Sequence, residues 1–508
     1  MPAERRMYET PQKQTSRSVL RNVLYGSLTW VLPVSMGLIA TPVLIRSLGN
    51  NEYGIYALVL GFISYSFTFN FGRAITKFVA EYRSSGETEK IRDVVSATIF
   101  LNVAVGAAGG LATCLLAGYL VRDVFRIDPA SETQAVNAIY VSTIVIFLWM
   151  FSTVFTSVLQ GAHRFDIYSK IYAASSFVLT TGNVVIAYTG FGLVWLLVWN
   201  AFVIGVFLIV YGFAARRVLP ELAFGFRPNA GTLRMVLRYS AGIVAYQLLA
   251  NILLLFERGW IANRLGTESL TYYVVPMSLG LYMHGFIGSL VLVVFPLASE
   301  LNNERGKLLR LYTKATKVIS LIVVFIVFSM FIDGDMFLQL WMGQSFADAS
   351  GRLLMVHMTS FGLIAVMSVS WQMTEGLGYP QFNALTTGLS TVIGITLMLL
   401  LTASMGSTGV AFARLAGFTV VFSSVFVVER WFFGAVQKSF WLKLAGSLAL
   451  AAGTAAGAEY LVLQALAPAW TTLVLSVFLG GCTYLTTLWF LDFVTGDEKL
   501  LIRQVFSR

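Results

Sequence analysis

The chain has 508 residues, of which 57% are hydrophobic and 12% are charged, and its formal net charge is +10 at pH 7. Soluble domains carry about 25% charged residues, so this composition excludes an ordinary soluble enzyme and a disordered chain. Apolar stretches of roughly 20 residues recur from end to end, which indicates a polytopic membrane protein. In a membrane protein, the positions of the basic residues indicate the topology, and the positive excess also suggests an anionic lipid ligand.

Polar clusters divide the chain into predicted transmembrane helices of roughly 20 to 28 residues each, about 14 in all. The first apolar run is too long for a signal-peptide core and is predicted to be a retained helix. The predicted fold is therefore all-α and integral to the membrane. The predicted spans are 19–46, 53–79, 94–121, 135–160, 168–189, 192–214, 234–260, 270–298, 311–332, 352–375, 382–403, 408–429, 439–463 and 470–493.

Basic residues are divided unevenly between the two ends of these spans. With a cytoplasmic N-terminus, 27 of the 35 Lys and Arg residues fall at inner ends and 6 at outer ends. Cytoplasmic segments of membrane proteins carry the excess of Lys and Arg, so both termini are predicted to be cytoplasmic. The remaining two, Arg73 and Arg414, lie inside spans.

Short motifs recur in the same order along the chain. Leu48-Gly49 is matched by Leu265-Gly266, 217 residues later, and Gln160-Gly161 by Glu375-Gly376, 215 residues later. This repeat predicts two six-helix lobes and a terminal helix pair, with boundaries at 1–217, 218–435 and 436–508. Because each lobe has an even number of spans, the lobes are expected to be parallel repeats, an arrangement typical of alternating-access transporters.

The second predicted helix carries two cations, Arg73 and Lys77, which are four residues apart and so share one face. An ionisable group inside the bilayer costs roughly 2.5 to 3.5 kcal/mol on insertion scales and usually faces a cavity or a partner. Arg can hold a phosphate in a bidentate fork, and Lys can bind it as a point charge. The pattern predicts a phosphate or diphosphate ligand; the alternative is that both side chains reach the inner interface.

Further charges lie near the outer ends of other predicted helices. Arg46 ends the first helix, and Glu257 lies near the outer end of the seventh. The repeat makes these ends equivalent, so a salt bridge between Glu257 and Arg46 is predicted to close an outer gate. An interfacial anchor or an intrahelical pair is the alternative. The complete set of candidate substrate-binding residues is Arg46, Arg73, Lys77, Arg258 and Arg414.

Two more titratable residues join Glu257 as candidates for gating or ion coupling. His284 lies near the middle of the eighth predicted helix and can carry a proton; a packing role is the alternative. Glu375 closes the tenth helix beside Trp371, where it is either a cation or proton site or an interfacial acid.

The sequence contains no constellation typical of an enzyme. None of its three His residues is paired with another at metal-ligand spacing, and no Gly-rich phosphate loop with its Lys is present. We therefore predict no catalytic residue, no metal and no cofactor. Energy is expected to come from an ion gradient, from the membrane potential or from consumption of the substrate on the far side.

Four stretches resemble the polysaccharide flippases, the O-antigen and exopolysaccharide translocases of the multidrug/oligosaccharidyl-lipid/polysaccharide flippase superfamily. Their order along a 14-helix frame is more specific than any one of them alone. They are Thr41-Pro42-Val43-Leu44-Ile45-Arg46-Ser47-Leu48-Gly49, Phe71-Gly72-Arg73-Ala74, Leu159-Gln160-Gly161 with Arg164-Phe165, and Phe295-Pro296-Leu297-Ala298.

The resemblance implies a two-lobed protein of the bacterial inner membrane that moves polyprenyl (undecaprenyl) diphosphate-linked oligosaccharide from the cytoplasmic to the periplasmic leaflet. Its implied partners are this substrate, membrane lipids, and the polysaccharide polymerase and chain-length machinery, with no nucleic acid. The alternatives are a cation-coupled multidrug exporter of the same superfamily, a peptidoglycan-precursor flippase and, from another class, a membrane polysaccharide polymerase or acyltransferase.

Overall fold

The structure is a computed structural model of the chain, and it describes residues 16–67, 71–220, 229–301 and 304–493. Helices joined by short turns make up these ranges, which confirms the predicted all-α fold. In the first half the helices are α1 (Ser16–Phe67), α2 (Gly72–Ser85), α3 (Thr88–Tyr119), α4 (Glu132–Gly161), α5 (Phe165–Tyr188), α6 (Leu193–Val218) and α7 (Ala230–Val291). In the second half they are α8 (Val294–Glu300), α9 (Arg305–Met342), α10 (Gln344–Gly376), α11 (Pro380–Thr419), α12 (Ser423–Val427), α13 (Lys438–Ala465) and α14 (Trp470–Phe490).

Eleven helical stretches in the described ranges are long and apolar enough to cross a membrane. Three of them pass through a glycine with a positive φ: Gly49 at 79°, Gly266 at 86° and Gly406 at 57°. Glycine adopts this backbone conformation without the steric cost of a Cβ, so the helix changes direction there. Each of the three stretches covers two predicted spans, and the helices therefore agree with the predicted frame of about 14 segments.

The eighth predicted span differs from the structure. The predicted segment 270–298 is divided between α7, which ends at Val291, and α8, which begins at Val294. Hydropathy runs through this interruption, because a break in backbone geometry need not change composition. The predicted segment 53–79 includes residues outside the described ranges; within those ranges α2 continues beyond it to Ser85.

The chain forms two compact units, Met1–Leu248 and Leu249–Arg508. In the first unit, a core of apolar side chains from α2, α3, α4 and α6 includes Ile75, Phe78 and Val79 of α2. Arg73 and Lys77 lie on the opposite, exposed side of this helix. Burial of the apolar face therefore fixes the direction in which the two cations project.

In the second unit, α9 packs against α10, α13 and α14. The terminal helix pair is attached to α9 by an apolar cluster and by the buried Glu429. Glu429 accepts hydrogen bonds from the Tyr312 hydroxyl (2.9 Å), the Gln437 backbone N–H (2.6 Å) and Trp441 Nε1 (2.6 Å). A buried carboxylate with three donors is satisfied and stabilises this junction.

Two glycines that the motifs pair, Gly161 and Gly376, both make close helix contacts. A Cβ at Gly161 would lie 2.9 Å from the Thr76 carbonyl oxygen of α2, and one at Gly376 would lie 2.6 Å from the Phe295 carbonyl oxygen of α8. Both glycines thus permit close approach to a short helix, α2 in one case and α8 in the other. The division at 217 and 435 remains a prediction.

Candidate substrate-binding site

An open pocket of about 400 Å³ lies within the N-terminal unit, between α2 and the beginning of α7. Its lining residues combine aromatic, aliphatic and basic side chains. They are Phe78, Gly231, Arg234, Met235, Arg238 and Tyr239.

Ring contacts hold the two helices in position at this pocket. The Phe78 ring meets the Tyr239 ring edge to face at 5.5 Å, and it stacks on the Tyr82 ring at 5.9 Å. The start of α7 is set by Asn229, whose Oδ1 accepts a hydrogen bond of 2.8 Å from the Gly231 N–H. Side-chain capping of this kind satisfies a backbone donor that the helix itself leaves free.

Three cations converge on this pocket. Arg234 and Arg238 are exposed, are four residues apart on α7 and line it directly. Lys77 Nζ lies 4.6 Å from the centroid of the Tyr239 ring and 5.0 Å from that of Phe78. Two guanidinium forks and an ammonium group provide the donors that a phosphate or diphosphate requires, and the aromatic rings provide an apolar side for the rest of the ligand.

Arg234 and Arg238 belong to the 27 inner basic residues that predict the topology, and the sequence did not distinguish them as site residues. Their four-residue spacing, the same as that of Arg73 and Lys77, was the available signal. It was not decisive, because basic residues at the inner end of a span are expected from the topology rule alone.

The other predicted cations lie at separate places. Arg73 is exposed on α2, one turn before Lys77, and Arg46 is exposed on α1 just before the break at Gly49. Asn70, a polar neighbour of Arg73 in the sequence, lies outside the described residues. Arg258 is half-buried on α7.

Glu257 and Arg414 meet inside the C-terminal unit, where both are completely buried. Arg414 Nη2 donates to Glu257 Oε2, the Tyr273 hydroxyl donates to Glu257 Oε1, and Arg414 Nη2 also lies 3.2 Å from Met277 Sδ. The His357 ring meets the Tyr273 ring edge to face at 4.6 Å. Both oxygens of Glu257 thus have partners within this unit, and the ion pair with Arg46 stays a prediction.

The remaining candidates for gating have local partners. Glu375 Oε1 accepts a hydrogen bond of 3.1 Å from Trp371 Nε1, one turn earlier on α10. His284 is half-buried on α7, with its ring 6.4 Å from that of Phe361. In the described residues, no group of three or more His, Cys, Asp or Glu side chains could hold a metal ion.

Solved structures with the same fold are transporters. The Lipid II flippase MurJ in an inward closed conformation matches with a TM-score of 0.73 at 13% identity, covering 93% of this chain and 100% of that chain. An inward-facing MATE family multidrug resistance transporter matches with a TM-score of 0.61 at 18% identity, covering 84% and 97%. The chain therefore has the fold class of these structures, a multi-pass helical membrane fold.

Within that class, the chain belongs to the family described as "Polysaccharide biosynthesis protein", which it matches over residues 43–351. A protein of Shigella flexneri named "Putative O-antigen transporter" is 18% identical over 396 residues, which cover 78% of this chain and 93% of that protein. The predicted resemblance to polysaccharide flippases is confirmed. The relatives and structural neighbours are transporters and flippases rather than enzymes, as predicted.

Proposed function

We propose that this protein flips polyprenyl (undecaprenyl) diphosphate-linked oligosaccharide repeat units from the cytoplasmic to the periplasmic leaflet of the bacterial inner membrane. The observation that carries the proposal is the convergence of Lys77, Arg234 and Arg238 on one aromatic-lined pocket. The names of the relatives, an O-antigen transporter and a Lipid II flippase, support the same class of substrate.

The pocket is the first binding site for the diphosphate in this proposal. The guanidinium groups of Arg234 and Arg238 hold phosphate oxygens, and Lys77 neutralises the remaining charge. Phe78 and Tyr239 exclude water on one side, which strengthens these electrostatic contacts. Arg46, Arg73 and Arg258 then offer later contacts as alternating access moves the substrate, whereas Arg414 is held in its buried ion pair with Glu257.

A multidrug exporter of the same superfamily is the second candidate, because the MATE transporters share the fold. The exposed charges at the pocket are all positive, and a cationic drug would be repelled there. A peptidoglycan-precursor flippase fits the same diphosphate chemistry. Complementation of a strain that lacks each flippase distinguishes the two. Restored polysaccharide export supports our proposal, whereas restored peptidoglycan synthesis without polysaccharide export would make the peptidoglycan precursor the substrate.

The decisive experiment follows lipid-linked repeat units in a strain that lacks the protein. We expect the units to accumulate on the cytoplasmic leaflet and to reach the periplasmic leaflet again when the wild-type gene is supplied. Normal levels of units on the periplasmic leaflet of the deletion strain would falsify the proposal. An Arg234→Ala, Arg238→Ala double variant should fail to restore them, whereas Lys443→Ala, at an exposed lysine of α13, should succeed.

The driving force, partners and topology complete the proposal. We expect an ion gradient or the membrane potential to drive transport, and the polysaccharide polymerase and chain-length machinery to use the exported units. Both termini lie in the cytoplasm in this scheme, as the distribution of basic residues predicts.

A further inference from the structure

Two acidic side chains are buried where the terminal helix pair packs against α9. Asp333 of α9 is 2% exposed and Glu459 of α13 is 0% exposed. Ser476 of α14 connects them, because its hydroxyl oxygen lies 2.8 Å from Asp333 Oδ1 and 3.4 Å from the Glu459 backbone carbonyl oxygen. Neither the basic pocket nor the family assignment gives these carboxyl groups a role.

Each carboxyl group receives one hydrogen bond from a neutral hydroxyl. Ser329, one turn before Asp333 on α9, donates to Glu459 Oε1 at 2.8 Å. Ser476 of α14 donates to Asp333 Oδ1 at 2.8 Å. The second oxygens, Asp333 Oδ2 and Glu459 Oε2, are buried and have no hydrogen-bond partner.

Within the residues that the structure describes, no cation pairs with either carboxyl group. Asp335 of α9 lies against Gly351 of α10, and Leu354 of α10 lies against Gly334. Arg352 of α10 is exposed. On α14, the Tyr484 hydroxyl donates to the Leu321 carbonyl oxygen at 3.1 Å and so has its own acceptor.

A glycine makes room for the Glu459 carboxyl group. A methyl group at Gly480 of α14 would overlap Glu459 Oε1 and its side-chain carbons, whereas one at the neighbouring Gly481 would meet only the Phe325 ring edge at 3.4 Å. The carboxyl group is therefore enclosed by α9, α13 and α14 and is not merely adjacent to them.

Two ionised carboxylates are unfavourable in such a place, because each loses its hydration and each repels the other. Binding of one proton removes one of the two charges and turns an oxygen that lacked a hydrogen-bond partner into an O–H donor. We propose that Asp333 and Glu459 form a proton-binding site, which holds one shared proton at neutral pH and thereby keeps α9 attached to the terminal helix pair. Protons are favoured over a metal cation because Ser329 and Ser476 direct their hydroxyl protons toward the carboxyl oxygens, where a cation would need lone pairs.

Infrared spectroscopy of the purified full-length protein tests this site directly, independently of transport. We expect the wild-type protein at pH 7 to show the C=O absorption of a protonated carboxylic acid, which the Asp333→Asn, Glu459→Gln double variant lacks. Each single variant should lose the absorption at a pH lower by about one unit or more, because its remaining carboxyl group no longer faces a second charge. Asp335→Asn is the matched control and should leave the absorption unchanged.

A second measurement tests the proposal even if the double variant fails to fold. At neutral pH the folded chain holds a proton that the unfolded chain has already released. The thermal stability of the wild type should therefore fall as the pH rises from about 4, where an unfolded carboxyl group loses its proton, to the pH at which the folded chain releases it. This dependence of stability on pH should be weaker in Gly480→Ala, which displaces the Glu459 carboxyl group, and unchanged in Gly481→Ala. An absorption at pH 7 that the double variant retains would overturn the proposal. Sodium-dependent stabilisation that the single variants abolish would also overturn it and would make the site a sodium site.

Discussion

Charged side chains of this protein occupy two different environments. Lys77, Arg234 and Arg238 are exposed and free to meet a ligand, whereas Glu257 and Arg414 are buried and meet each other. The difference has one physical cause: a charge removed from water must have a partner, and an exposed charge need not. Exposure therefore identifies the binding candidates, and burial identifies the internal ion pair.

Two substitutions at Arg73 separate the effect of its charge from the effect of its guanidinium geometry. We expect Arg73→Ala to lower surface polysaccharide without lowering the protein level, because a cation on the exposed face of α2 is lost. Arg73→Lys should retain part of the activity, since it keeps the charge and loses the bidentate fork. Quantitative detection of surface polysaccharide at matched expression measures both effects, and full export by the alanine variant would remove Arg73 from the site.

Breaking the buried ion pair should destabilise the C-terminal unit. Glu257→Gln leaves the Arg414 guanidinium without its carboxylate, and the expected loss is about 3 to 5 kcal/mol. Thermal unfolding in detergent should show a lower midpoint, and Glu257→Gln combined with Arg414→Met should recover much of it. Glu268→Gln, at an exposed glutamate of the same helix, should change stability by less than about 0.5 kcal/mol. An unchanged midpoint in Glu257→Gln would show that the pair does not stabilise the fold.

At the scale of elements, glycines decide how closely helices approach. We expect Gly376→Ala to cost about 1 to 3 kcal/mol, because its methyl group would press on the backbone of α8. Gly388→Ala in α11 has open space around it and should be neutral or stabilising by about 0.4 to 1 kcal/mol. Comparison of the two unfolding midpoints checks this, and an equal response would mean that helix propensity, not packing, sets the result.

Hydropathy located the helices well but missed their interruptions. The predicted frame agrees with the described helices, yet the break between α7 and α8 had no compositional signature. Glycine motifs did mark close helix contacts, since Gly161 and Gly376, paired by the motifs, approach α2 and α8. Glycine was informative because these contacts leave no room for a side chain.

At the scale of the whole molecule, the distribution of basic residues predicts orientation. We expect an alkaline phosphatase fusion at the C-terminus to be inactive, because that terminus is predicted to be cytoplasmic. A fusion after Gly343, between α9 and α10, should be active in the periplasm. Activity measured in intact cells at equal fusion levels provides the test, and the opposite pattern would reverse the predicted topology.

The sequence by itself determined the class of protein, the approximate number of spans and the family, and it predicts the orientation. These properties follow from local composition and from motif order, which any stretch of the chain carries independently. Only the tertiary structure decided which charges meet: Glu257 with Arg414, 157 residues away, and Lys77 with the pocket formed by Arg234 and Arg238. The net positive charge was visible from composition, but its division between topology and binding depends on packing, because burial and neighbours determine what a charge can do.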